Sequence, residues 1–146
     1  MPDASPRPGP DPADTAEKLH SAAIHLLRRL RRQDVASGLT APRLSALSVI
    51  VYGGPLTLGA LAAAEQVRPP TMTRIVAALE ADGLIRREPS PDDGRVTLVR
   101  ATPAGERLLH EGRRRRTAQL ASQLEALPAA DRLTLARAAD LLESLD

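Results

Sequence analysis

Residues 69–101 read PPTMTRIVAALEADGLIRREPSPDDGRVTLVRA, and the hydrophobic period changes halfway along that stretch. From Pro69 to Ala81, Met72, Ile75, Val76 and Leu79 recur at three- and four-residue steps, which gathers them on one side of an α-helix. Asp82-Gly83 closes that helix. Leu84-Ile85-Arg86-Arg87-Glu88 and Val96-Thr97-Leu98-Val99-Arg100 then flank Pro91-Asp92-Asp93-Gly94, which predicts a strand, a turn and a strand. A helix followed at once by a hairpin is the second half of a winged helix-turn-helix.

On a helical wheel Met72, Ile75, Val76 and Leu79 form the side expected to be buried. Pro70, Arg74, Ala77 and Ala81 face the other way, with Thr71 and Thr73 flanking the apolar stripe. Apart from Arg74 the outward face is small, so it can approach a groove closely. The DNA major groove is about 12 Å wide and admits one helix, and its base edges are distinguishable there. Arg pairs bidentately with guanine, while Thr bonds a phosphate or touches a thymine methyl.

Upstream, the pattern supplies the rest of the unit. Residues 1–13 hold five prolines and no apolar period, which predicts a disordered tail. Asp14 followed by Glu17 resembles a capping box opening a helix over about 15–37. Its stripe is Leu19, Ala22, Ala23, Leu26, Leu27 and Leu30, and Gly38 is its stop. A second helix follows the Thr40 cap, with Leu44, Leu47, Ile50 and Val51 as its buried face, and ends at Gly53-Gly54-Pro55. A short third helix follows Thr57 and carries Leu58, Leu61 and Ala62. Downstream of the hairpin, Thr102-Pro103 opens a long helix to about Leu127. A last helix beyond Pro128 carries Leu133, Ala136, Leu141, Leu142 and Leu145.

Composition narrows the chemistry. The 146 residues include no Cys, Phe or Trp, and Tyr52 is the only aromatic side chain, so the core is aliphatic. The absence of Cys removes disulfides, thiolate catalysis and thiol-based oxidant sensing, and it suits a reducing cytoplasm. No run approaches the roughly 18 apolar residues of a membrane span. The first residues lack the apolar segment of a secretory signal. The net charge is only +2, so the overall balance permits a nucleic-acid partner without pointing to one. Lys18 is the sole lysine, which makes nineteen of the twenty basic residues arginine. No nucleophile–base pair, metal-ligand spacing or glycine-rich phosphate loop is present, so neither an enzyme nor a cofactor or metal site is expected. His20, His25 and His110 are too scattered for a metal.

The runs Leu56-Thr57-Leu58-Gly59-Ala60-Leu61-Ala62, Pro70-Thr71-Met72-Thr73-Arg74-Ile75-Val76, Leu79-Glu80-Ala81-Asp82-Gly83-Leu84-Ile85 and Asp93-Gly94-Arg95, with Thr102-Pro103-Ala104-Gly105, resemble the multiple antibiotic resistance regulator (MarR) family. The resemblance implies a mainly α fold with a small β-hairpin wing: a winged helix-turn-helix over 39–101, flanked by an N-terminal dimerisation helix over 14–38 and C-terminal dimerisation helices over 102–146. It implies a triangular homodimer in the cytoplasm, associated with the nucleoid, that binds a palindromic operator on double-stranded DNA, most simply as a repressor released by a small-molecule effector. Arg95 matches the wing-tip arginine that enters the minor groove in the family, and Asp93 the acidic residue that orients it. Thr71, Thr73 and Arg74 match groove-facing positions. Arg68 stands where the family often has a Ser cap. A cation there opposes the helix dipole by roughly 0.3–1 kcal/mol, which a DNA phosphate would offset. The family's effector pocket lies among the first, second and fifth helices and the winged unit, and His25, Arg43 and Tyr52 are the candidates to reach it.

Plainer readings exist for each residue. Arg74 can solvate an exposed helix face, and Arg95 can pair only with Asp93. Thr71 and Thr73 can be first-turn caps, and Tyr52 a packing residue. Arg86 and Arg87 point to opposite faces of a strand, so one of them at most reaches DNA easily. Arg113 to Arg116 span more than one turn and read as a solvated, salt-bridged face. At the level of the whole chain, the alternatives are an effector-independent architectural DNA-binding protein and a winged-helix protein-interaction adaptor.

Overall fold

The computed structural model describes residues 9–145, so most of the proline-rich stretch expected to be disordered, residues 1–8, lies outside the described residues. The chain forms two units, one ending at Arg32 and one beginning at Gln33. The first is a helix, α1 (Pro12–Leu30), which runs into a 3-10 segment (Arg31–Ser37). Its start corrects the expected one. Asp11, not Asp14, is the cap: its carboxylate accepts from the Ala13 N–H at 2.7 Å and from the Asp14 N–H at 3.4 Å. Pro12 sits at the first turn, where its fixed φ suits a helix and its missing N–H costs nothing. The far end is also corrected, because the α-helix stops at Leu30 rather than reaching Ser37. Asp34, Val35 and Ser37 are poorer helix formers, and the Ser37 hydroxyl donates to the Asp34 carbonyl at 2.6 Å, which tightens the last turn. Leu19, Ile24 and Leu27 of α1 are exposed.

The second unit holds α2 (Ala41–Gly53), β1 (Leu56–Thr57), α3 (Leu58–Ala64), α4 (Pro69–Ala81), β2 (Ile85–Pro89), β3 (Thr97–Ala101), α5 (Pro103–Glu125) and α6 (Ala129–Glu143). The sheet is antiparallel in the order β1-β3-β2. β1 has no counterpart among the elements expected from the sequence. Two residues carry no readable period, and this strand exists only because Leu56 and Thr57 pair with Val99 and Leu98. The hairpin strands lie one residue later than the pattern places them, with Ile85 opposite Ala101 and Arg87 opposite Val99.

The core is formed where α2, α3 and α4 meet the sheet. Leu47, Ile50, Leu61, Met72, Val76, Leu79, Leu84, Ile85 and Val99 are buried, with Ala46 and Ala62 filling between them. Each large aliphatic side chain removed from water contributes about 1.5–3 kcal/mol, so this cluster carries most of the unit's stability without aromatics. Two expected core positions are only half-buried on α2, Leu44 and Val51, because Ala46 takes the inner stripe instead. On α4, Ile75 is likewise half-buried: Met72, Val76 and Leu79 define a narrower stripe and Ile75 packs at its edge.

Local chemistry fixes the joints. The Leu84 N–H donates to the Leu79 carbonyl at 3.0 Å and the Gly83 N–H to the Glu80 carbonyl at 2.9 Å, a Schellman end to α4. It needs a left-handed residue, and Gly83 supplies φ +71°. Thr102 ties α5 to the same place. Its hydroxyl donates to the Gly83 carbonyl at 2.6 Å and accepts from the Gly105 N–H at 3.2 Å. Gly105 then passes so close to Leu84 that a Cβ there would sit 2.1 Å from the Leu84 carbonyl oxygen. On α6, Leu133, Leu135, Leu141 and Leu142 are exposed; the helix ends at Glu143, so Leu145, expected on it, lies beyond its C-cap Ser144 and is exposed too.

Candidate nucleic-acid interface

The candidate recognition element is α4, and its bounds are those the sequence predicts. Thr71, Thr73, Arg74, Ala77 and Ala81 are exposed, opposite buried Met72, Val76 and Leu79. Pro70 is exposed in the first turn. Arg68 is the N-cap residue, with extended backbone (φ −69°, ψ 144°) and no side-chain capping bond. The sequence explains why an arginine is tolerated there. Pro69 and Pro70 have no N–H, and the next two donors, from Thr71 and Met72, go to the Arg68 carbonyl at 3.0 and 3.1 Å. Few orphan donors remain for a Ser hydroxyl to satisfy. For the same reason the helix end offers little backbone cradle for an anion, and positive charge there comes from the Arg68 side chain.

Thr73 is more constrained than Thr71. Its hydroxyl donates to the Pro69 carbonyl at 2.9 Å, one turn back, which leaves its methyl and an acceptor lone pair outward. Arg74 projects from the next position.

The wing tip is organised by one carboxylate. Asp93 accepts from the Arg95 backbone N–H at 3.0 Å, from Nε at 3.1 Å and from Nη2 at 3.2 Å. The side-chain hydrogen bond from Arg95, then the backbone one, holds the Asp93 carboxyl below its ordinary value of 3.8. The Arg95 side chain is nonetheless 92% exposed. It is thus aimed but not covered, the condition a groove-reading cation needs. The turn is closed by the Ser90 N–H donating to the Val96 carbonyl at 2.7 Å.

The hairpin base separates the two arginines whose facing the sequence leaves open. Arg87 shares a face with Ile85 and Val99 and turns toward α4, where its Nε lies 3.1 Å from Glu80. Arg86 lies on the opposite face, directly across from Arg100. Glu88 sits between them: Arg100 Nε donates to it at 2.5 Å, and Arg86 Nε is 3.3 Å away. The hydrogen bond from Arg100 is the main reason the Glu88 carboxyl is held below its ordinary value of 4.5, with the charge of Arg86 adding to it. Glu80, Glu88 and Arg100 carry no signal of their own in the sequence. Strand alternation over 84–88 and 96–100 is the one clue, and the pairing of the two strands, with Arg86 opposite Arg100, decides which charges meet.

The three effector-pocket candidates lie on α1 and α2. His25 is exposed in the middle of α1, in the first unit. Arg43 lies in the first turn of α2 and reaches toward Asp82 at 4.0 Å. Tyr52 lies in the last turn of the same helix, about 13 Å farther along at 1.5 Å per residue. It stacks edge-on to His110 of α5, with ring centroids 6.4 Å apart. In the Arg113–Arg116 run, Arg116 pairs with Asp34, and Arg113 and Arg114 are exposed.

Comparison with known proteins agrees with this geometry. The MarR family profile matches residues 39–97. The chain is 41% identical over 133 residues to the HTH-type transcriptional regulator MT0903.1 of Mycobacterium tuberculosis, covering 91% of this chain and 93% of that one. Its fold matches that of a MarR family protein from Bacillus stearothermophilus with a TM-score of 0.73 at 27% identity, over 90% of this chain and 91% of the other. It also matches CouR from Rhodococcus jostii, solved bound to p-coumaroyl-CoA, with a TM-score of 0.60 at 26% identity over 90% of each chain. With its winged helix, its three-stranded sheet and relatives along nearly its whole length, this chain belongs to the MarR family of DNA-binding, HTH-type transcriptional regulators.

Proposed function

We propose that this regulator acts as a homodimeric repressor, with two copies of α4 entering successive major grooves of a palindromic operator. The observation that carries the reading is the split of α4 into a buried Met72–Val76–Leu79 side and an exposed side bearing Thr71, Thr73 and Arg74. In this reading Arg74 pairs with a base edge, and Thr71 and Thr73 contact phosphate or thymine methyl. Pro70 permits close approach, and Arg68 takes a backbone phosphate. Arg95, aimed by Asp93, enters the flanking minor groove.

Dimerisation rests on apolar surface that has no cover within its own helix. Leu19, Ile24 and Leu27 on α1, and Leu133, Leu135, Leu141 and Leu142 on α6 with Leu145 just beyond it, are all exposed. Large aliphatic side chains left in water along a helix make each of these helices a candidate interaction surface. Two-fold pairing would set the recognition helices about one DNA turn apart, near 34–36 Å. Effector control follows by analogy with CouR, which binds p-coumaroyl-CoA. A ligand that changed the spacing of the two winged units would release DNA, because both must fit at once.

The decisive experiment is selection of duplexes from a random-sequence library by the purified full chain, followed by footprinting. One discrete palindromic footprint, abolished in the Arg74→Ala, Arg95→Ala double variant, is the expected result. Uniform coating of DNA would favour an architectural protein, and DNA retention unaffected by the double variant would favour an adaptor.

A further inference from the structure

On the outer face of the hairpin, Arg86 and Arg100 stand directly opposite one another in the ladder. Like charges at directly opposed strand positions destabilise a sheet. Both side chains are substantially exposed, at 60% for Arg86 and 41% for Arg100, so neither fills the core. Glu88, two residues along the same face from Arg86, takes the Nε side of both guanidinium groups. The terminal Nη groups of the two arginines make no hydrogen bond to other described residues. Two arginines sharing one carboxylate leave a patch of net single positive charge, with four Nη nitrogens that no described residue engages.

The fold gives no reason for this pairing. A single arginine opposite a neutral residue would keep the Glu88 contact without the repulsion. The arrangement does match one ligand chemistry, an anionic oxygen group that accepts from planar guanidinium forks. The same hairpin carries Arg95 at its tip, five residues from Arg100, or about 17 Å at the rise of a strand. The patch therefore lies on the same hairpin as the tip read above as entering DNA.

We infer that the outer face of the wing, through Arg86 and Arg100 positioned by Glu88, is a phosphate-backbone contact on the operator duplex. This rests on the DNA-binding reading and extends it from the wing tip to the wing base. Arg87 is excluded from the contact, since it faces α4 and pairs with Glu80. The patch carries no base-reading geometry, so it adds affinity and register rather than sequence preference.

The test is the salt dependence of binding. Full-length wild-type protein, Arg86→Gln/Arg100→Gln, Arg86→Lys/Arg100→Lys and Arg87→Gln are titrated with a duplex recovered by the library selection. The double glutamine variant is expected to melt as the wild type does. Its slope of log K against log salt should be shallower by about 0.9 for each phosphate no longer neutralised, with roughly eight-fold weaker binding per phosphate at about 0.1 M salt. The lysine pair should restore most of the slope, and Arg87→Gln should leave it unchanged. An unchanged slope in the double glutamine variant overturns the inference. So does a lysine pair as impaired as the glutamine pair, which would mean that the arginines only stabilise the hairpin. Arg74→Ala tests DNA binding separately: its failure to bind together with an unchanged slope in the double variant would sink the wing-base contact and leave the regulator reading intact.

Discussion

Arg74 and Arg95 illustrate how little a sequence position means without its neighbours. Both are arginines in exposed places, yet among the described residues one has no ion-pair partner, on a helix of small residues, and the other is gripped by Asp93. Removing Arg74 should cost about 1–3 kcal/mol of operator binding, a roughly ten- to hundred-fold weakening, and relax preference at one base pair. A binding titration against single-base operator variants measures both. The Asp93–Arg95 pair makes a pH prediction of definite sign. Because Asp93 titrates below 3.8 in the folded chain, its contribution is fully present above that value and is lost only as pH falls through the lowered one. An NMR titration of the Asp93 carboxyl should give a midpoint below 3.8, and Arg95→Gln should return it toward 3.8. At neutral pH the wing-tip pair should not change, so any pH dependence of DNA binding there arises elsewhere.

At the scale of elements, the joint between α4, β2 and α5 matters most, because it sets the angle between recognition helix and wing. Gly83, Thr102 and Gly105 make that joint with three backbone-level contacts. Gly105→Ala would force a methyl group against the Leu84 carbonyl, which cannot yield without moving the strand start. The expected destabilisation is at least about 1–3 kcal/mol, visible as a lowered melting temperature. Thr102→Ala removes the α5 cap and the bond to Gly83 together, and should cost about 1–2 kcal/mol in the same assay. The Glu80–Arg87 pair spans the same two elements but is exposed on both sides, so it contributes little to stability.

At the scale of the whole molecule, the charge is nearly balanced while the apolar surface is not. Many of the aliphatic side chains that α1 and α6 display remain in water in a single chain. If those faces meet in a two-fold assembly, Leu141→Glu with Leu142→Glu should shift sedimentation from dimer toward monomer. Binding to a palindromic duplex should then fall far more than binding to a half-site, because the second contact would no longer be intramolecular. Equal weakening on both duplexes would place the defect in folding instead.

Much of this protein is written in periods short enough to read along the chain. The 3.6-residue stripe of α4, the alternation of the hairpin, the Thr57 and Thr102 caps and the glycine after α4 are local signals. They determine which elements form, which face of α4 is dry, and that Asp93 stands two residues from Arg95. The start of α1 is read from the sequence at the Asp14–Glu17 capping box, whereas the helix starts three residues earlier, with Asp11 as its cap and Pro12 in its first turn. What only the tertiary structure decided depends on pairing between distant segments. β1 exists because β3 is there to bond it. Ile75 is half-buried because the core closes over Val76. Arg86 meets Arg100 and Glu88, and Arg87 meets Glu80, because the strands pair with Arg86 opposite Arg100 and the face carrying Ile85 and Val99 packs into the core, which leaves Arg86 and Arg100 on the other face.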